Sequence, residues 1–420
     1  MTTLLPVMIA GVSHQQTDFE NSLHELAQLA ATQNYQVVAI ERQMLPQVNR
    51  QTYFGTGKIK SLQAQAQATG AKLILINDEL TPTQLRNLEN ATQYRLLDRT
   101  ELILQIFAQQ AHTRPAQLQV RLAQLKYQLP RIHPSNNPLD QQRGGSGFNN
   151  RGAGESQREL NKRQLRQKIQ QYQKELRQLQ QTFATQSQKR QQADILRVAL
   201  VGYTNAGKSS TLNALLKCTP EQTAKEVLVE DQLFATLDTA VREIKVPNYP
   251  AFLISDTVGF IDKLPTLLVE SFRSTLEEAR QADLLVQVID GTNPDPEAII
   301  QTTNKILAQL EITDKPMIYA YNKADLQTAK PTNSPIGTTI SYSAHNLTSV
   351  QKLLSLILQQ LFASYRPLTL LVPFTEGPLI NQILCNEIIR DQSYTESGIK
   401  FHLFANPKSY NKLQQWQSNL

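Results

Sequence analysis

The octapeptide Gly202-Tyr203-Thr204-Asn205-Ala206-Gly207-Lys208-Ser209 constrains this chain more than any other stretch. It matches GxxxxGK[ST], follows the apolar run at residues 198–201 and opens a helical pattern over residues 212–217. Glycines allow consecutive backbone N–H groups to wrap phosphates without Cβ clashes, and the helix N-terminus adds a favourable dipole. Lys208 is placed to neutralise the β- and γ-phosphates, a catalytic role, and the Ser209 hydroxyl to ligate Mg²⁺. With glycine at about 7% of average usage, a chance match in a chain this long is on the order of one in a hundred. The pattern predicts a strand–loop–helix unit that holds a nucleotide.

Three further motifs follow in order. Asp256-Thr257-Val258-Gly259 ends a second apolar strand, where a carboxylate can hold the Mg²⁺ shell through water and Gly259 can offer an N–H to the γ-phosphate. Asn322-Lys323-Ala324-Asp325 ends a third. Asp325 can accept both N–H bonds of the guanine N1/N2 edge; adenine presents an acceptor there, and such mismatches cost roughly 10⁴-fold. Lys323 would pack over the base plane, and Ser343-Ala344 could offer a backbone N–H to guanine O6. Alone, each motif reads as a turn. Their order and spacing point to guanine nucleotides, and Asn322 and Asp325 argue against an ATP-using P-loop enzyme such as a kinase.

The residue after the DxxG motif is Phe260, and a phenyl ring cannot orient a nucleophilic water by hydrogen bonding. Intrinsic hydrolysis is then slow, or another group places the water. Asn205 offers one route: its amide oxygen could hold a K⁺ ion against the phosphates.

Elsewhere, apolar runs at residues 7–10, 37–40 and 72–76 read as buried strands, and residues 23–33, 59–68 and 83–90 as helices between them. This alternation predicts a small parallel α/β domain over residues 1–112. Leu118, Leu122, Leu125 and Leu129 share one helical face, and Pro130 and Pro134 end that helix. A Gly/Arg-rich stretch containing Arg143 and Arg151 follows, and then Leu165, Ile169, Tyr172, Leu176, Leu179 and Phe183 form a heptad-like seam. Two stripes joined by a polar loop predict an antiparallel helical hairpin over residues 113–193, matched within the chain, so the reading is a monomer rather than a coiled-coil dimer. βα alternation returns over residues 194–364, with strands at 196–201, 252–255, 284–289 and 317–321. A small α+β unit occupies residues 365–420, with strands at 368–372 and 400–404 and a helix at 379–389.

Charge sharpens this division. The formal net charge is +6 over 420 residues, yet from Arg114 to Arg197 there are 16 Lys/Arg against 5 Asp/Glu, a local +11 that leaves −5 for the rest. Such asymmetry points to a polyanion-binding segment. Two distant cysteines, Cys218 and Cys385, with no CxxC or Cys/His cluster beside them, argue against a disulfide framework or a zinc site and fit a reducing compartment. The N-terminus lacks a basic n-region, and no window of roughly 18 apolar residues exists, so a cytoplasmic protein without signal peptide or membrane span is expected.

The ordered motifs resemble those of TRAFAC-class P-loop GTPases of translation. That resemblance implies a switch threonine between the P-loop and DxxG. Phe234-Ala235-Thr236-Leu237-Asp238 occupies the interval and makes Thr236 the candidate second Mg²⁺ ligand, with Thr239 as its rival. More narrowly, the chain resembles the HflX family over roughly residues 35–361. The family's GxGK turn is matched by YFGTGK at 53–58, and its NDELSPxQxRNL segment by NDELTPTQLRNL at 77–88. LDRTELILQIFA at 97–108, LQVRLAQLKY at 118–127, RGAGE at 151–155 and FATLD at 234–238 also match closely. One departure is Asn161-Lys162-Arg163, where the family usually carries DRR.

The resemblance implies a P-loop GTPase domain preceded by a small parallel α/β domain and a long antiparallel helical hairpin. It also implies a GTP-hydrolysing factor that binds the large ribosomal subunit, reaches rRNA with its hairpin tip and splits or rescues stalled ribosomes. A ribosome-assembly or rRNA-binding factor using GTP only as a latch is the alternative. The Gly55/Lys58 turn reads equally as part of that surface or as a loop that starts the next helix.

Overall fold

A computed structural model describes residues 4–13, 19–132, 157–191, 195–219, 240–261, 277–326 and 337–417. Of these, the residues up to Gln186 form one compact unit and those from Ser187 onward a second.

In the first unit, β1 (Leu5–Ser13), β2 (Tyr35–Met44), β3 (Leu73–Ile76) and β4 (Arg95–Asp98) make an all-parallel sheet in the order β2-β1-β3-β4. β1 is buried through its middle and β3 throughout, as continuous apolar strands covered on both faces should be. β2 lies at the edge and is only partly covered. The helices α1 (Phe19–Thr32), α2 (Thr56–Thr69), α3 (Pro82–Thr92) and α4 (Arg99–Gln110) alternate with these strands. Local chemistry sets their starts: Thr81 and Gln84 form a reciprocal capping box ahead of Pro82, and the Asp98 side chain accepts from Glu101 N–H. The Gly55/Lys58 turn leads directly into a helix. Gly55 N–H donates to the Gln43 side chain (3.0 Å), α2 begins at once, and Lys58 is ion-paired with Glu41.

α5 (Arg114–Gln128) is capped by Thr113, and the 35-residue α6 (Gln157–Gln191) follows. Arg114, at the start of α5, pairs with Glu175 in the second half of α6 (2.7 Å), the pairing expected of an antiparallel hairpin. The two stripes are unequal. Leu118 and Leu122 are buried because α5 packs on α4, whereas Leu165, Ile169, Tyr172, Leu176 and Leu179 are all half-buried. Arg131, just past the C-terminus of α5, ties that end of the helix to the α/β domain: its guanidinium stacks on Tyr127 and donates to the Leu80 carbonyl (2.6 Å). Arg143, Arg151 and the RGAGE segment lie outside the described residues.

The second unit holds a six-stranded sheet ordered β10-β9-β8-β5-β7-β6. Its strands are β5 (Arg197–Gly202), β6 (Ala240–Ile244), β7 (Phe252–Asp256), β8 (Leu284–Asp290), β9 (Met317–Asn322) and β10 (Thr338–Ser341); only β6 runs antiparallel to its neighbour. Its helices are α7 (Lys208–Lys217), α8 (Glu277–Gln281), α9 (Pro296–Gln309) and α10 (Leu347–Leu361). α7 and α10 pack together over a core that includes Leu200, Leu212, Val286, Ile318 and Ile357.

A three-stranded antiparallel sheet, β11 (Arg366–Val372), β13 (Gly398–Ala405) and β12 (Ile388–Thr395) in that order, closes the chain with α11 (Gly377–Asn386) and α12 (Pro407–Leu413). The helix expected to reach Ile389 stops at Asn386. Ile388 instead joins β12, where it is buried and pairs with Phe404 of β13. Strand pairing overrides a helical pattern at that point.

Candidate functional site

β5, β7 and β9 are parallel neighbours through β8, so the loops after them open on one edge of the sheet. Each of these loops carries one of the ordered motifs, and backbone geometry locks them together. Gly202 (φ +141°) ends β5 and faces the Val288 carbonyl so closely that no Cβ fits. Gly207 (φ +90°) caps α7 against the Asn322 amide. Asn205, at the exposed apex of the loop, is left-handed with φ +59°.

Lys208 is 6% exposed and donates to the carbonyls of Gly202 (3.2 Å) and Tyr203 (2.7 Å). Burial pulls its ammonium down to about 8, against the partial support of Asp256. Asp256 is fully buried and accepts from the Ser209 hydroxyl (2.6 Å). Hydroxyl and carboxylate oxygens are the hard donors that Mg²⁺ takes, so Ser209 and Asp256 fit that ion, and the buried ammonium of Lys208 fits a polyanion.

After Asp256, the Thr257 hydroxyl donates to the Leu200 carbonyl (2.7 Å) and Val258 is buried. A Cβ on Gly259 would press on Thr204 at 2.8 Å and on Lys208 Nζ at 3.0 Å, so this turn lies directly against the P-loop. Phe260 is 1% exposed. Its N–H donates to the Gly202 carbonyl (3.0 Å) and its carbonyl accepts from Thr204 N–H (2.8 Å). The phenyl ring is therefore a core element, and the Phe260 backbone fastens the turn after β7 to the P-loop.

Asn322 joins the phosphate loop to the base loop. Its Nδ2 donates to the Ala206 carbonyl and its Oδ1 accepts from Ala344 N–H, both at 3.0 Å. Lys323 is left-handed (φ +62°) and pairs with Asp290 (2.7 Å). Ala324 N–H donates to the Tyr342 carbonyl (3.1 Å). A hydrogen bond with Ser343 holds the exposed Asp325 carboxyl below its usual range.

The structure thus gathers the residues expected from the P-loop, DxxG, NKAD and Ser343-Ala344. Phe234, Ala235, Thr236, Leu237 and Asp238 lie outside the described residues, as does Thr239. Asp290 was not anticipated, although an aspartate followed by Gly291 at the end of an apolar strand is a usable signal. Among the described residues, no cluster of three or more His, Cys, Asp or Glu could hold a metal, and no helix is long and apolar enough to cross a membrane.

The Lys208 environment predicts a pH dependence. Bound phosphate favours the ammonium, so its pKa rises on binding. Below pH about 8 the proton is present in both states and affinity is flat. Above it, binding must take up a proton, and affinity falls by up to about tenfold per pH unit. Calorimetry of GDP binding at pH 9 in buffers of different ionisation enthalpy should register that uptake, and at pH 7 none from this group.

Comparison with known proteins fits this geometry. Residues 197–323 match the family described as "50S ribosome-binding GTPase", residues 20–108 "GTP-binding GTPase N-terminal" and residues 110–190 "GTP-binding GTPase Middle Region". The chain is 39% identical to a GTPase HflX of Caldanaerobacter subterraneus subsp. tengcongensis, over 94% of this chain and 89% of that one. It is 38% identical to the GTPase HflX of Alkalihalophilus pseudofirmus, over 97% and 96%. Among solved structures, a GTP-binding protein from Sulfolobus solfataricus in complex with GDP is similar at 23% identity and a TM-score of 0.43, covering 86% of this chain and 99% of that one.

Proposed function

The chain belongs to the HflX family of GTPases, and on that premise we propose that it binds the large ribosomal subunit through rRNA and splits or rescues stalled ribosomes, with GTP as its conformational switch. The single observation that carries this reading is a +11 segment, residues 114–197, joined to a guanine-nucleotide site whose phosphate and base loops are tied by one side chain. On the described part of α6, Arg163, Arg166, Lys168, Lys174 and Arg177 are exposed while the apolar seam is half-buried. Such a face suits phosphate backbones, and the binding it supports weakens steeply with salt. A monomer acting in the cytoplasm fits this role.

Ser209 and Asp256 would hold Mg²⁺, with Thr236 as the proposed second hydroxyl, and the Asn205 amide would hold K⁺. Bound there, these ions supply positive charge against the phosphates as charge shifts toward the leaving group. Lys208 holds the β/γ-phosphates from a buried position where its charge is little screened. Gly259, already against Lys208 and Thr204, lets the DxxG backbone sense the γ-phosphate. Phe260 is locked in the core and cannot orient water, so the chain alone turns over slowly and the ribosome completes the site.

Sedimentation of purified 70S ribosomes with this protein and a non-hydrolysable GTP analogue tests the reading. Conversion of 70S particles to subunits is expected. Intact 70S particles, with the protein bound only to immature large subunits, would replace splitting by the assembly-latch reading.

A further inference from the structure

Asp290 closes β8 in register with Asn322 of β9, and Gly291 N–H donates to the Asn322 carbonyl (2.9 Å). Both of its carboxylate oxygens are engaged, each by a different neighbour. Oδ1 accepts from Thr292 N–H (2.9 Å) and from the Thr292 hydroxyl (2.7 Å). Oδ2 accepts from Lys323 Nζ (2.7 Å). Burial pushes this carboxyl up, but the bonds from Lys323 and Thr292 outweigh it and hold the group below its usual range.

Lys323 carries two unusual features at once. Its backbone is left-handed at φ +62°, a region that side chains with a Cβ occupy at a cost. Its ammonium sits only 28% exposed and is directed back along the sheet edge to Asp290 rather than out to water. An outlier of this kind persists only when surrounding contacts over-determine it, and such outliers cluster where a ligand is gripped. A free lysine stem also has several rotors to immobilise when a ligand arrives, which weakens binding.

We infer that Asp290 is a positioning residue for guanine-nucleotide recognition. It anchors the Lys323 ammonium so that the methylene stem already stands as one wall of the base pocket before nucleotide enters. The inference rests on the reading that Lys323 packs over the base. It assigns the two carboxylate oxygens different work, Oδ1 to the Thr292 turn and Oδ2 to the recognition lysine.

The test is stopped-flow dissociation of a fluorescent GDP analogue from the full chain. Asp290→Asn should speed dissociation about tenfold, through lost preorganisation. Lys323→Ala should do about the same, and the double variant should lie within about twofold of the worse single, because the two act as one unit. Asp290→Glu, which keeps the charge, should recover most of the loss. Thr292→Val, which removes only the turn hydroxyl, should stay near wild type. Dissociation from Asp290→Asn within twofold of wild type, beside a fast Lys323→Ala, would overturn the anchor alone. A double variant equal to the product of the singles would also overturn it, since Asp290 would then act independently of Lys323. An unchanged Lys323→Ala would remove the base-wall reading and the anchor with it. Should Asp290→Asn fold poorly by thermal melting, Asp290→Glu decides: no recovery relative to Lys323→Ala counts against the anchor.

Discussion

Asp325→Asn lowers affinity for GTP and GDP by about 10³–10⁴-fold and moves selectivity to xanthine nucleotides, the scale expected when a hydrogen-bonding site meets the wrong partner. The loop is already shaped for the task. Ala324 N–H is bonded to the Tyr342 carbonyl, and Ser343 holds the Asp325 carboxyl ionised and oriented. An ionised carboxylate accepts both N–H groups on the guanine edge. An asparagine in the same place offers one acceptor and sets its own N–H₂ against one of them. Xanthine has a carbonyl where guanine has its exocyclic amine, so the same N–H₂ becomes a donor to it. Competition between fluorescent GDP and XDP reads the switch directly. Unchanged guanine preference in the variant would remove Asp325 from base recognition.

The phosphate and base motifs were legible in the sequence because each sits where an apolar strand ends, and strand ends are set by patterning that survives without tertiary information. Val198–Val201, Phe252–Ser255 and Met317–Tyr321 all fall inside observed strands. Less legible were elements whose character comes from packing. α4 buries Leu102, Ile103, Leu104, Ile106 and Phe107, more than one face, so no 3.6-residue stripe marks it. β6 and β10 are short and half-covered, and only their neighbours define them. Arg99 would be taken for a surface residue. Instead it is 1% exposed, bonded to Asn77 Oδ1 (3.1 Å) and paired with Glu25, an arrangement that needs residues up to 74 positions apart. Asp290 was missed for a related reason: the DG dipeptide at a strand end marks a loop on the site's edge, but only the pairing of β8 with β9 brings it to Lys323. Unequal burial of the two hairpin stripes was likewise invisible, since heptad spacing records which face is apolar and not what covers it.

The second large effect falls on Asn322. Its side chain is 3% exposed, donates to the Ala206 carbonyl and accepts from Ala344 N–H. Asn322→Ala leaves a buried carbonyl and a half-buried N–H without those partners. Each such loss costs about 1–3 kcal/mol, so with partial relaxation the pair costs about 2–4 kcal/mol. Because both partners belong to nucleotide-binding loops, that cost appears mainly as weaker binding, about 30- to 1,000-fold. Gly207→Ala should weaken nucleotide through the same contact from the other side, since its new Cβ would invade the Asn322 amide in a left-handed backbone. The two changes therefore should add only in part: once Asn322 is alanine, the space that Gly207 keeps open is no longer contested, and only the left-handed backbone strain of the new Cβ remains. Fluorescent GDP titration of both singles and the double checks this, with thermal melting as the control for folding. Fully additive losses would mean that the phosphate loop and the base loop bind nucleotide independently, and that Asn322 does not couple them.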